Sequence, residues 1–222
     1  DRGGITTSMM EAIAHRGPDS RGVWEDLETG ISLAHLRLAI VDLSAAGHQP
    51  MVSASGRWVI SFNGEIYNHT NLRRTLEQEK KVTNWRGCSD TETLLAGIEA
   101  WGLENTLIRA VGMFALALWD RKTRQLYLVR DRLGEKPLYY GWQGQGRGAA
   151  FLFGSELKAL RRHPAFEGRM SRDAVVEVLR HGNVGEDRSI HEGIFKVRAG
   201  EIVTVSPQNR HIDRKYYWDG AA

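Results

Sequence analysis

Apolar positions along this chain recur with two periods, and the switch between them marks its elements. From Ser8 to Ala14, Met9, Met10 and Ile13 share one side of a helix, with Thr7 placed to cap it, and Gly17 and Pro18 in HRGPDSRG then break the pattern. Strand patterns follow at 22–26, 31–38 and 57–62. Helical spacing returns over 68–79, behind Asn68 or Thr70. It returns again in TLLAGIEAWG, where Ser89-Asp90-Thr91-Glu92 is an N-cap signature, and a short helix follows at 104–110. The middle of the chain is strand-dense: GMFALALWD (112–120) and QLYLVRD (125–131) flank RKTR as a hairpin loop. PLYYGW (137–142) and AFLFGSE (150–156) form a second pair, with GQGRG between them reading as a solvated turn. A short helix starts at 155–160 and another runs over 171–181 with Ser171 as its cap. A last strand pair, 194–197 and 201–205, turns at Arg198-Ala199-Gly200. Beyond Ser206 the pattern decays into PQNRHIDRKYYWDGAA, which reads as a linker. Helices cluster near 70–110 and 156–182 with hairpins between them, so the class is α+β with mainly antiparallel sheets and outer helices.

One strand ends unusually. Val59-Ile60-Ser61-Phe62 runs into Asn63-Gly64, the commonest two-residue hairpin turn, yet no alternating strand follows. The next residues, YNHTNLRRTLEQEKK, have a helical polar pattern. The prediction is therefore a strand, a tight turn and a helix start. Such a turn can aim an Asn side chain and a free Gly N–H at one point and bind a negative oxygen.

Composition narrows the possible chemistry. The chain has 222 residues, 41% hydrophobic and 26% charged, which suffices for an ordinary core. The net charge of +3 is scattered, without the dense basic stripe that nucleic acid requires. No apolar run reaches the length of a membrane span. The single cysteine, Cys88, allows no intrachain disulfide, and the simple reading is a cytoplasmic protein. The histidines show no metal-ligand spacing, so no metal or cofactor is expected in this chain.

Other segments carry candidate chemistry. Arg37 lies in the apolar strand AHLRLAIVDLS and needs a partner, either a structural ion pair or a substrate carboxylate held bidentately. Asp90, at a helix start, either caps that helix or also holds an ammonium group. RDRLGEKPLYYG (130–141) is a charged turn between strands. An Arg for a carboxylate, an Asp for an ammonium and an Asn-Gly pair for an oxyanion describe a pocket for an α-amino acid bearing a distal carbonyl. Glutamine fits that description.

AHRGPDSRG, FNGEIYNH, SDTETLL, GMFALALWD, RDRLGEKPLYY and SELKAL, in one order over residues 9–205, resemble the N-terminal glutaminase domain of glutamine-dependent asparagine synthetases. These are class II glutamine amidotransferases. The resemblance implies an N-terminal-nucleophile hydrolase fold, a four-layer αββα sandwich, over residues 1–205, with 206–222 leading toward an absent synthetase domain. It implies that Arg37 binds the glutamine α-carboxylate, that Asn63 and Gly64 form the oxyanion hole, and that Glu65 and Asp90 hold the α-amino group. The family's nucleophile is a mature N-terminal cysteine whose own amine is the base. This chain begins at Asp1, so that cysteine and the first strand are expected to be missing, and Cys88, before SDTE, is no substitute. The parent protein is expected to bind L-glutamine, to amidate aspartate using ATP and Mg2+ in the absent domain, and to be open to homodimerisation. Alternatives are another carboxylate acceptor, or a non-catalytic module that lost its nucleophile.

Overall fold

The computed structural model describes residues 2–220 apart from Thr83 and Glu186. Two compact units form, one from residues 1–14 and 137–198 and the other from 15–136 and 199–222.

The larger unit is built on a six-stranded antiparallel sheet. It contains β3 (Met51–Val52), β4 (Trp58–Ile66), β5 (Gly112–Asp120), β6 (Gln125–Arg130), β10 (Glu201–Ser206) and β11 (His211–Tyr216), in the order β11-β10-β6-β5-β4-β3. A separate hairpin joins β1 (Ser20–Asp26) to β2 (Ile31–Arg37). Helices α2 (His69–Gln78), α3 (Asp90–Trp101) and α4 (Leu103–Arg109) complete this unit. Period-two alternation divides β4 cleanly. Trp58, Ile60, Phe62 and Ile66 join Leu116, Leu118 and Phe114 of β5 and Leu72, Leu94, Ile98 and Leu107 of the helices in one buried core. The odd positions, Ser61, Asn63 and Glu65, therefore face the opposite side. The β1–β2 hairpin lies on that side, because Ser61 Oγ donates to Ala34 O at 3.2 Å and sits 3.2 Å from His35 Nδ1.

The smaller unit has α1 (Arg2–Glu11), a three-stranded sheet of β7 (Tyr139–Gln143), β8 (Ala150–Gly154) and β9 (Phe195–Lys196), and helices α5 (Leu157–Leu160) and α6 (Arg172–His181). Leu152, Leu160 and Ile194 form its buried cluster, with Ile13 packed against it.

Most of the sequence reading holds. Ser89 caps α3, its Oγ accepting the Glu92 N–H at 3.1 Å, an interaction worth about 1 kcal/mol. Ser171 caps α6 in the same way. RKTR and GQGRG both turn hairpins. Four expectations change. The first helix begins at Arg2, well before Ser8, and ends at Glu11. The residues 194–197 and 201–205 do not pair: β9 joins β7, and β10 joins β6 and β11. The presumed linker 206–222 carries β11, whose residues pair along all of β10 and so extend the sheet, while Ala221 and Ala222 lie outside the described residues. Finally, Asn63-Gly64 makes no turn. Both lie inside β4, which runs on to Ile66 paired with β5.

Candidate active site

Gly64 stays in the strand because β5 approaches too closely for any side chain. It sits opposite Phe114 at φ +156°, and a Cβ there would fall on the Met113 carbonyl oxygen and within 2.6 Å of Phe114 Cα. What reads locally as turn chemistry is a close-approach glycine within a sheet. Asp131 holds β5 in place from the other side. Its carboxylate, 1% exposed, accepts N–H groups from Phe114, Leu133, Glu135 and Lys136. The charged turn RDRLGEKP is thus folded around its own aspartate.

The other edge of β4 is where donors become available. β3 pairs with β4 only at Met51–Ile60 and Val52–Val59. The side chain of Gln49 then continues the ladder, taking the Phe62 N–H on Oε1 at 2.6 Å and donating from Nε2 to Phe62 O at 3.1 Å. Four positions further, the Ile66 N–H donates to Asp90 Oδ2 at 2.9 Å. Gly64 lies between these two, and the alternation of an antiparallel ladder turns its N–H toward the same edge. Beside it, Asn63 Nδ2 is buried and has no hydrogen-bond partner among the described residues. A buried donor left without a partner costs on the order of 1–3 kcal/mol and calls for a reason.

Asp90 is the first residue of α3, whereas Ser89 is the cap. The Asp90 carboxylate takes the Ile66 N–H on one oxygen and the Thr91 N–H, at 2.8 Å, on the other, which ties α3 to the end of β4. Burial pushes its carboxyl above the usual range; the two N–H bonds and nearby His69 oppose this, and Glu65 adds to it. Two carboxylates, Glu65 and Asp90, therefore share one electrostatic neighbourhood, an arrangement that favours a cation.

Arg37 ends β2, and its partners within the chain are not the side chain of an ion pair. Its guanidinium holds main-chain carbonyls of the following loop, Ser44 O at 3.0 Å and Asp42 O in a short contact. A recess of about 560 Å3 is lined by Arg37, Asp19, Ser20, Ser44 and His48. Burial, then Arg37 and His48, lower the pKa of His35 to about 4, so this imidazole is neutral at ordinary pH. A larger recess of about 670 Å3, lined by Trp85, Arg86 and Glu99, contains none of the sequence-predicted site residues.

Asn63, Gly64 and Glu65 follow one another at the end of β4, and Asp90 is tied to the same strand end at Ile66, while Arg37 is linked through Asp42 to Cys88, two residues before Asp90. Cys88 is exposed, and its N–H donates to Asp42 Oδ2 at 2.9 Å. Sequence reasoning missed Asp42, Gln49 and His35. Gln49, His35 and, through Cys88, Asp42 act through contacts remote in sequence that no local pattern marks. Among the described residues no group of His, Cys, Asp and Glu is arranged to hold a metal, and no helix is long and apolar enough to cross a membrane.

The fold is that of N-terminal-nucleophile-type glutamine amidotransferases. It matches the glutamine phosphoribosylpyrophosphate amidotransferase from B. subtilis complexed with ADP and GMP, with a TM-score of 0.64 at 19% identity over 97% of this chain and 46% of that one. A structure described as the allosteric regulatory enzyme of purine biosynthesis matches with a TM-score of 0.66 at 18% identity, again over 97% of this chain and 46% of that one. Residues 1–218 match the glutamine amidotransferase domain family, and the chain belongs to it. Among its relatives, Asparagine synthetase [glutamine-hydrolyzing] 3 of Bacillus subtilis (strain 168) is 36% identical over 217 residues, which cover 95% of this chain and 33% of that protein. Amidase chry2 of Gibberella zeae is 34% identical over 215 residues, covering 96% of this chain and 30% of that protein. The chain spans about a third of the length of these two relatives.

Proposed function

We propose that this chain is the glutamine-hydrolysing part of an asparagine synthetase, releasing ammonia for the ATP-dependent amidation of aspartate. The observation that carries this reading is the buried, unpartnered Nδ2 of Asn63, next to a glycine whose N–H faces an open strand edge. A donor left unpaired in the resting protein is suited to an oxygen that becomes charged only during reaction.

In this reading Arg37 takes the α-carboxylate of glutamine, and Glu65 and Asp90 take its α-ammonium group. The nucleophile is the thiolate of the N-terminal cysteine that the family resemblance places ahead of Asp1. It attacks the side-chain amide carbon, and the carbonyl oxygen becomes an oxyanion held by Asn63 Nδ2 and the Gly64 N–H. Collapse of this intermediate, with a proton delivered to the amide nitrogen by the cysteine's α-ammonium group, releases ammonia and leaves a thioester. Water then hydrolyses the thioester to glutamate. ATP and Mg2+ take no part in the steps assigned to these residues.

The similar identity to Amidase chry2 supports a second reading, in which the ammonia goes to a different carboxylate. The test is label transfer in the full-length protein. With glutamine labelled at its amide nitrogen, ATP and aspartate, the label is expected in asparagine, with glutamate formed in equal amount. Glutamate release without labelled asparagine favours the second reading. Absence of glutamate release refutes both.

A further inference from the structure

Asp42 lies in the loop between β2 and β3, is 5% exposed, and makes more polar contacts than its place in a loop requires. Its carboxylate accepts the Ser44 N–H at 2.8 Å, the Ser44 hydroxyl at 2.6 Å and the Cys88 N–H at 2.9 Å. Its carbonyl oxygen accepts from the Arg37 guanidinium. One residue therefore grips both the side chain at the end of β2 and the backbone two positions before Asp90. The neighbouring glycines leave room for this. A Cβ on Gly47 would fall on Arg37 Nη2, and one on Gly87 would fall on Asp42 Oδ2 and within 2.7 Å of Ala46 Cβ. The bonds from Ser44 and Cys88 hold the Asp42 carboxyl down to about 2, so it is an anion at neutral pH.

We propose that Asp42 is a positioning residue that sets the separation of Arg37 from Asp90, and so matches the pocket to the carboxylate and ammonium of one α-carbon. The proposal rests on the glutamine-site reading and adds a part that touches no substrate. Rigid placement of both ends matters because an amino acid offers its two charges at a fixed spacing, and misplacing either forfeits a charge-assisted bond.

The test uses the full-length protein and two substrates: glutamine, and 4-carbamoylbutanoate, which has the amide and the carboxylate without the amine. Asp42→Asn puts a second N–H donor or a weaker acceptor opposite the Cys88 N–H. It is expected to raise the glutamine KM by about tenfold or more, with a smaller change in kcat, and to lower the preference for glutamine over the amine-free analogue by a similar factor. A merely structural role would reduce both substrates equally, and that result overturns the proposal. If Asp42→Asn does not fold, Gly87→Ala pushes on the same contact. It should show the same loss of preference, and a wild-type preference there is equally fatal. Arg37→Ala in the same series separates the two levels: if it leaves glutamine use intact, the site reading itself fails, whereas if it weakens glutamine use and Asp42→Asn does not, only the role of Asp42 fails.

Discussion

Asn63→Ala separates catalysis from stability more sharply than any other single change in this site. Nδ2 of Asn63 is buried without a partner, so its removal breaks no hydrogen bond of that atom and relieves an unsatisfied donor. The cost of such a donor is about 1–3 kcal/mol, and the packing lost on truncation offsets part of this gain. Net stability should stay within about 1 kcal/mol of wild type, a Tm shift of at most roughly 2–4 °C in either direction. Catalysis should respond very differently. An oxyanion donor in a water-poor site contributes about 2.7–4 kcal/mol, so glutaminase kcat should fall by about 10²–10³ while the glutamine KM moves little. The assay is steady-state glutamate release by the full-length protein, with a thermal melt on the same preparations. The reasoning is refuted if the variant melts far lower while its turnover is preserved, since Asn63 would then serve the strand and not the reaction. A parallel loss of glutamine- and ammonia-dependent synthesis would refute it too, because ammonia bypasses the oxyanion.

Arg37→Ala should lower the efficiency of glutamine use by about 30- to 150-fold relative to ammonia-dependent synthesis, the loss of a charge-assisted bidentate contact; equal losses in the two reactions would show that Arg37 acts only by holding the Asp42 and Ser44 carbonyls. His35 is held neutral by burial first and by Arg37 and His48 next, with its pKa lowered from 6.5 to about 4. The unfolded chain therefore binds more protons between those values, and stability should be fully present above about pH 6.5 and decline as pH falls toward about 4. Chemical denaturation across that window should show a shallower pH slope in His35→Gln, and an unchanged slope would assign the dependence to other groups. The 222-residue chain alone should release no glutamate above background, and activity abolished by Cys88→Ala would identify Cys88 as the nucleophile and overturn the mechanism.

Local chemistry determined much of this protein. Ser89 and Ser171 cap their helices because a hydroxyl before a helix has a backbone N–H within reach, wherever the helix is packed. The strands around RKTR and GQGRG pair as written because short connections leave antiparallel pairing as the simple outcome. The sequence also named candidates for an amino-acid site, Arg37, Asn63, Gly64 and Asp90 from their residue types and Glu65 from the family resemblance. Their arrangement was not legible. Asn63-Gly64 carries the local signal of a turn, yet the approach of Met113 and Phe114 makes it the middle of a strand. The end of the chain looked like a linker because alternation is weak in HIDRKY, where five of six residues are exposed, and only pairing with β10 reveals the strand. Gln49 completes a ladder 13 residues further along the chain, and Asp42 joins Arg37, five residues before it, to Cys88, 46 residues after it. Periodicity and propensity describe the forces along a few neighbouring residues. Which donors are satisfied, and that Asn63 Nδ2 is among those left without a partner in the described residues, depends on strands and loops that meet only once the sheet has formed.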